Sequence, residues 1–156
     1  MNRQKKTIVI GLGNPLSGDD GFGPRVLDLL NKTAPHPDVD FKDAHTDILG
    51  QIDIFAEYDR VLLIDAILDP EKKLGQTGQV VVLDEDSFLS WPEASQGVHQ
   101  MSPLLAVKLF HQLYPQAHTE ILLAGLLVDH LEPATVYATE AAIQEAFETL
   151  RFRVFE

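Results

Sequence analysis

The strongest fold signal in this chain of 156 residues is TIVIGL at residues 7–12, which GNP at 13–15 follows directly. The stretch is β-branched and apolar without alternating polar residues, as is typical of a strand buried on both faces. Such strands belong to parallel sheets that helices cover on both sides. The stretch therefore predicts an α/β protein.

Similar patterns recur along the chain, with helical spacing between them. We predict further strands at 39–44, 60–66, 78–83 and 120–128. We predict helices at 21–32, from 46 or 47 to 56, from 101 or 102 to 113, and from 139 or 140 to 150. Residues 84–100 are predicted to form a long loop. This alternation predicts a single three-layer α/β/α domain over 1–156, with a twisted, mostly parallel sheet of about five strands.

The composition excludes several classes of function. The chain has 12 Lys and Arg against 24 Asp and Glu, a net charge of −12, and no cysteine. An acidic surface opposes binding to nucleic acid. Without cysteine there is no disulfide scaffold, zinc ribbon, iron–sulfur cluster or thiol nucleophile.

No export or membrane signal is visible in the sequence. The basic start at 1–6 leads into an apolar stretch that Gly11 and Gly13 interrupt too soon for a signal peptide. The uncharged apolar run at 121–128 is far shorter than the roughly 20 residues of a membrane helix. We expect a cytoplasmic protein that does not contact a membrane and acts as a monomer.

Three polar residues are predicted to converge where the strands end. Asp20 follows the first strand, Asp65 lies near the end of the strand at 60–66, and His99 precedes a predicted helix. In open α/β sheets the active crevice lies beyond the carboxyl ends of the strands. Two carboxylates and an imidazole there are suited to a divalent metal or to acid–base chemistry on water.

Each of these residues also has a simpler interpretation. Asp20 can cap the helix at 21–32, and a lone loop histidine such as His99 is usually a polar surface residue. Asp65 is harder to explain structurally, because a carboxylate within an apolar run needs a partner or a metal. The interpretation as a site therefore rests on the three residues together.

The glycine-rich turn is an incomplete dinucleotide fingerprint. Gly11 and Gly13 match its start, but Leu16 stands where the third glycine belongs, and two acids follow. Nucleotide binding is therefore disfavoured. Asn14 is interpreted as a turn former or as an anchor for a substrate backbone.

The same motifs resemble the hydrogenase maturation protease family. The resemblance runs over nearly the whole chain in order and spacing. It is carried by Gly11-x-Gly13-Asn14, Asp19-Asp20-Gly21-x-Gly23, Leu63-Ile64-Asp65-Ala66 and His99-Gln100.

This resemblance implies a phosphorylase/hydrolase-like fold and an endopeptidase. Its partner would be the precursor of a nickel–iron hydrogenase large subunit, from which it removes a C-terminal extension after nickel insertion. Asp20, Asp65 and His99 would contact the nickel that the substrate carries, and Asp20 and Asp65 would be catalytic. Whether nickel polarises the scissile bond or only positions it stays open, as does binding of a divalent cation by the free protein. A paired-carboxylate mechanism of the aspartic type is the alternative.

One segment departs from the pattern of the family. Such proteins usually carry Asp-Gly-Gly-Thr after the second strand, where this chain has Asp43-Ala44-His45-Thr46. The loss of two glycines removes backbone freedom and adds an imidazole at the rim of the site. We hypothesise that the segment tunes substrate choice, with His45 as an extra ligand or a surface histidine.

Other functions fit parts of the sequence. A metal-dependent hydrogenase assembly chaperone would use the same three ligands without cleavage. A peptidyl-tRNA hydrolase-like esterase shares the opening residues 11–15, but Asp19-Asp20-Gly21 and the net charge of −12 oppose it. An uncharacterised metal-binding α/β hydrolase is the generic alternative.

Overall fold

One five-stranded sheet organises the chain. The computed structural model describes residues 6–16, 18–33, 36–90, 103–130 and 136–155. The strands are β1 (Thr7–Leu12), β2 (Val39–His45), β3 (Arg60–Leu68), β4 (Val80–Asp84) and β5 (Glu120–Val128). The helices are α1 (Phe22–Thr33), α2 (Ile52–Phe55), α3 (Glu85–Leu89), α4 (Pro103–Leu113) and α5 (Glu140–Phe155), with 3-10 turns at Gly18–Gly21 and Leu49–Gln51.

Helices cover both faces of the sheet because its inner strands are apolar on both faces. Val9 of β1 and Leu62 of β3 pack with α1 and α5, whereas Ile10 and Leu63 pack with α2 and α4. All six residues of β1 are buried, as its uninterrupted apolar sequence predicts. The predicted three-layer architecture is therefore confirmed.

The strand order, β2-β1-β3-β5-β4, locates the functional edge. β1, β2, β3 and β5 are parallel, and β4 is antiparallel to β5. From β1 the chain moves outward to β2, and from β3 it moves in the opposite direction, so the topological switch point lies between β1 and β3. Ligands bind beyond the carboxyl ends of the strands at such a point.

Several predicted elements need correction. β3 continues to Leu68, two residues beyond its predicted end, because its neighbour β5 pairs with it over its whole length. β4 begins at Val80 instead of 78 and runs antiparallel. The predicted loop at 84–100 contains α3, whose start is stabilised by a hydrogen bond of 2.8 Å from the Ser87 main-chain N–H to Asp84 Oδ1.

The predicted helix from 46 or 47 to 56 is broken into a 3-10 turn and the short α2.

Within the described part of the chain, no helix combines the length and the apolar character that crossing a membrane requires.

Candidate functional site

Asp65 lies inside the sheet, at the level where β1 ends. It is nine-tenths buried and pairs with Gly125 of β5. On its other side, the last residue of β3 paired with β1 is Ile64, opposite Gly11. Side chains alternate along a strand, so Asp65 points to the same face as Leu63, toward the α2 and α4 layer. The pairing of β1 with β3 thus ends one residue before Asp65, and the Asp65 carboxylate lies beside the switch point.

Asp20 reaches the same point from the turn between β1 and α1. Its side chain is buried, and its Oδ2 accepts a hydrogen bond of 2.8 Å from the Asn14 main-chain N–H. This tight turn requires glycine at position 13 for two reasons. Gly13 has a φ of +122°, and a Cβ at this position would lie 1.9 Å from the Asp20 carbonyl oxygen. Only glycine satisfies both conditions.

The two carboxylates interact electrostatically. Burial raises the pKa of Asp65 well above its usual 3.8, and the nearby charge of Asp20 raises it further. A hydrogen bond of 2.8 Å from the Ala66 main-chain N–H to Asp65 Oδ1 opposes this shift only in part. A carboxyl group with a raised pKa beside a second carboxylate can take part in proton transfer, or the two groups can together bind a cation.

Asn14 braces the loop before Asp20. Its Oδ1 accepts a hydrogen bond of 2.9 Å from the Leu16 main-chain N–H, which closes a local turn. The predicted role as a turn former is therefore present in the structure. The role as an anchor for substrate stays a prediction.

The departing segment at the end of β2 lies beside this loop. The Gly13 main-chain N–H donates a hydrogen bond of 2.7 Å to the His45 carbonyl oxygen, and Asp43 Oδ1 accepts one of 3.0 Å from the His45 N–H. His45 has a φ of +54°, a left-handed conformation that is uncommon outside glycine. Thr46 follows in an exposed turn. The segment therefore borders the carboxylate pair, and its effect on substrate choice stays a prediction.

Asp19 has a structural function that the sequence did not reveal. Its Oδ1 accepts main-chain hydrogen bonds of 2.9, 2.8 and 2.8 Å from Val136, Tyr137 and Ala138. The side chain is 2 % exposed. Asp19 thus anchors the segment before α5 directly beside Asp20. The sequence gives one indication of this role, the two adjacent acids Asp19 and Asp20. The family resemblance assigns a function to Asp20 and not to Asp19.

A second polar cluster follows the end of β5. Asp129 Oδ1 is hydrogen-bonded to His130 Nδ1 and accepts a bond of 3.2 Å from the Tyr137 hydroxyl. Partial burial acts to raise the pKa of Asp129, but these two hydrogen bonds outweigh it and lower the pKa below 3.8. No spacing pattern in the sequence joins these residues, so sequence reasoning assigned them no role.

The third predicted ligand, His99, lies outside the described residues. Across the described ranges, no three His, Asp or Glu side chains are grouped as a metal site. Asp20 and Asp65 supply two oxygen ligands, which suit a divalent cation whose other ligands come from elsewhere.

A family model described as hydrogenase maturation protease, HycI, matches residues 24–154. Asp65 and His99 lie within the matched range, and Asp20 lies before it. The match covers most of the chain. Of the described elements it includes every strand except β1, and every α-helix except the first two residues of α1 and the last residue of α5.

Individual relatives agree with this match. The hydrogenase expression/formation protein HoxM of Azotobacter vinelandii is 28% identical over 128 residues, which are 80% of this chain and 59% of HoxM. The chain thus spans less than two thirds of that relative. The Hydrogenase 2 maturation protease of Escherichia coli K12 is 26% identical over 148 residues, covering 92% of this chain and 87% of that protein.

Proteins of known structure share the fold of this chain. The E. coli hydrogenase maturating endopeptidase HybD superposes with a TM-score of 0.71 at 22% identity, over 93% of this chain and 89% of HybD. At this identity the likeness concerns the fold alone. It matches the sheet and helix layers described above. Together with the family model, these observations show that the chain belongs to the hydrogenase maturation protease family.

Proposed function

We propose that this protein is a cytoplasmic, monomeric endopeptidase that removes the C-terminal extension of the nickel-loaded precursor of a nickel–iron hydrogenase large subunit. The observation that carries the proposal is the pair of buried carboxylates, Asp20 and Asp65, at the topological switch point. A structural role alone does not explain two adjacent acids there, since their mutual repulsion destabilises the folded state.

Nickel on the substrate is the recognition element in this proposal. A nickel ion held by substrate ligands has coordination positions to spare, and Asp20 and Asp65 present oxygen ligands on a rigid frame. His99 supplies the third ligand. The chain contains no cysteine, so it offers no thiolate that would compete for the metal.

The carboxylates also supply what peptide hydrolysis needs. Water must lose a proton as it attacks the scissile carbonyl, and the leaving amine must gain one. The raised pKa of Asp65 favours a shared proton between the two groups, so one accepts a proton while the other donates. Nickel near the scissile bond would polarise its carbonyl or hold it in place.

The test is cleavage of purified, nickel-loaded precursor, followed by intact mass. Wild-type protein should remove a C-terminal peptide. Asp20→Asn, Asp65→Asn and His99→Ala should each lower the cleavage rate by about 100-fold or more. Asp28→Asn removes an exposed carboxylate from α1 and serves as the matched control, which should cleave at the wild-type rate.

Two results would contradict the proposal. A stable complex without loss of mass from the precursor would indicate an assembly chaperone instead of a protease. Normal cleavage by Asp65→Asn would remove that residue from the mechanism. Nickel recognition is tested separately with the nickel-free precursor, which should stay intact, and efficient cleavage of it would exclude that part of the proposal.

A further inference from the structure

Gly125 is the one residue of β5 without a side chain, and it lies directly opposite Asp65. Neighbouring strands are about 4.8 Å apart, so a Cβ at position 125 would lie about 5 Å from the Cβ of Asp65. It would stand on the same face of the sheet, under α2 and α4, because residues that pair directly point to the same face. The sheet thus leaves room for other atoms on the β5 side of the carboxylate.

Ile67 fills this room. Its Cδ1 and Cγ1 lie 1.9 and 2.4 Å from the position that a Cβ of Gly125 would take. Ile67 itself pairs with Leu127, two residues farther along β5, so its side chain leans back to the level of Asp65. It is 4% exposed and packs in the apolar cluster under α2 and α4. Hydrocarbon therefore occupies the β5 side of the Asp65 carboxylate.

The hydrogen bond of the Asp65 side chain lies on its other side. The Asp65 carbonyl oxygen is 3.5 Å from the Cβ position of Gly125, so it points toward β5. Main-chain groups of successive residues point to opposite sides of a strand, which directs the Ala66 N–H toward β1. The pairing of β3 with β1 has ended there, and this N–H donates its bond of 2.8 Å to Asp65 Oδ1. The carboxylate is thus turned away from β5.

We propose that Ile67 and Gly125 position Asp65 for its reaction. Ile67, packed over Gly125, prevents the carboxylate from rotating toward β5 and keeps it on the β1 side, where Asp20 lies. Ile67 and Gly125 are positioning residues, because neither has a side-chain group that transfers a proton or binds a metal. For its effect on cleavage this inference rests on the proposed function, whereas the orientation of Asp65 is tested without it.

The first test removes the hydrocarbon. Ile67→Ala empties the space beside Asp65, so the carboxylate can rotate over Gly125. The kcat for nickel-loaded precursor should fall by about tenfold or more, because displacing a reacting group by about 1 Å can cost 100-fold in rate. Ile67→Val loses only Cδ1 and serves if Ile67→Ala does not fold, and its kcat should fall by about threefold.

The second test moves the hydrocarbon from one strand to the other. Gly125→Ala alone places a methyl group 1.9 Å from Ile67 Cδ1. One of the two groups must move, so kcat should fall by about tenfold or more. In the double variant Ile67→Ala/Gly125→Ala, the methyl group at position 125 takes up part of the space that the isoleucine left. Its kcat should exceed that of either single variant and lie within about threefold of wild type.

Ile121→Ala is the matched control for the loss of a buried isoleucine. Ile121 lies at the far end of β5 in the same apolar cluster and is 1% exposed. This variant should lower the unfolding temperature, as Ile67→Ala does, and still cleave at the wild-type rate. Thermal unfolding also verifies that each variant is folded at the assay temperature.

Crystal structures of wild type and Ile67→Ala give a measurement that does not depend on cleavage. The hydrogen bond from the Ala66 N–H to Asp65 should be present in wild type and lost in the variant. The proposal is overturned if folded Ile67→Ala keeps this bond or cleaves at the wild-type rate, or if the double variant is no more active than Ile67→Ala. A wild-type protein that never cleaves, together with the expected rotation of Asp65 in Ile67→Ala, would overturn the proposed function alone.

Discussion

Asp19 and Asp20 are neighbours of the same residue type with different functions. Asp19 accepts three main-chain hydrogen bonds from the segment before α5, and Asp20 faces Asp65. The difference arises from side-chain direction within the 3-10 turn Gly18–Gly21. One acid stabilises the fold, and the other is available for chemistry.

Asp19→Ala should destabilise the protein by about 2–4 kcal/mol, because main-chain N–H groups, including the buried one of Ala138, lose their acceptor. Urea unfolding followed by circular dichroism measures the change. Asp19→Asn retains Oδ1 and should lose less. A free energy of unfolding for Asp19→Ala within about 0.5 kcal/mol of wild type would contradict this assignment.

Asp65→Asn should stabilise the metal-free protein at pH 7 while abolishing activity. The folded state raises the pKa of Asp65, so it binds the proton more tightly than the unfolded state. The carboxylate therefore costs no stability below its usual pKa of 3.8, and the cost grows as the pH rises toward the folded-state pKa.

The measurement is the unfolding temperature with a chelator at a series of pH values from about 4 to about 8, upward from the usual carboxyl range. The gain of Asp65→Asn should be largest at high pH and vanish near pH 4. Asp28→Asn, on the exposed face of α1, is the control. An equal gain at every pH would show that ionisation of Asp65 is not its cause.

The turn and helix that follow β1 form the element on which the site depends. α1 starts close to the sheet because residue 23 has no side chain. A Cβ on Gly23 would lie 2.2 Å from the Leu12 carbonyl oxygen and 2.4 Å from that of Ile64. Both atoms belong to strand backbones, which cannot move aside without disturbing the sheet.

Gly23→Ala should therefore destabilise the protein by about 3 kcal/mol or more, with loss of activity through displacement of Asp20. Gly50→Ala is the comparison, since its Cβ would meet a side-chain oxygen, Asp47 Oδ2, at 2.3 Å. That carboxylate can rotate, so the loss should be about 1 kcal/mol. Chemical denaturation measures both, and equal losses would contradict the argument.

The predicted elements were most accurate where burial was most complete. β1 and β5 have the predicted bounds, because buried parallel strands carry an uninterrupted apolar sequence. α2 and α3, of four and five residues, are too short for helical periodicity to show in the sequence. Their ends depend on local hydrogen bonds, such as the one from Ser87 to Asp84.

The net charge of −12 affects the molecule as a whole. Like charges repel in the compact state, and salt screens this repulsion over a distance of about 10 Å at 0.1 M. The unfolding temperature at pH 7 should therefore rise by several degrees, ~2–5 °C, as NaCl increases from about 20 mM to about 300 mM.

Choline chloride at the same ionic strength is the control and should give a similar rise, because screening does not depend on the identity of the cation. A rise with NaCl alone would indicate specific ion binding. A falling unfolding temperature would show that attractive ion pairs, such as the one between Arg25 and Glu140, dominate the electrostatics.

Much of the architecture was predictable because hydrophobic patterning is a local property. TIVIGL at 7–12, RVLLIDA at 60–66 and EILLAGLLV at 120–128 each specify a buried strand without reference to the rest of the chain. Their alternation with helices implies a parallel sheet, and the parallel sheet places Asp20 and Asp65 near one edge. The sequence also shows that Asp19 and Asp20 are adjacent, but it does not show that the two residues have separate roles.

Other features depend on contacts between distant parts of the chain. Asp19 accepts a hydrogen bond from Ala138, which lies 119 residues away in the sequence. β4 pairs antiparallel with β5, and the pairing of β1 with β3 ends at Ile64, one residue before Asp65. His45 takes its left-handed conformation at the irregularity where β2 pairs with Leu12. No local pattern encodes these pairings, because a hydrogen bond forms between whichever groups the packed layers bring together. The sequence determined the residue types and the edge of the sheet where Asp20 and Asp65 lie, and packing determined which groups they contact there.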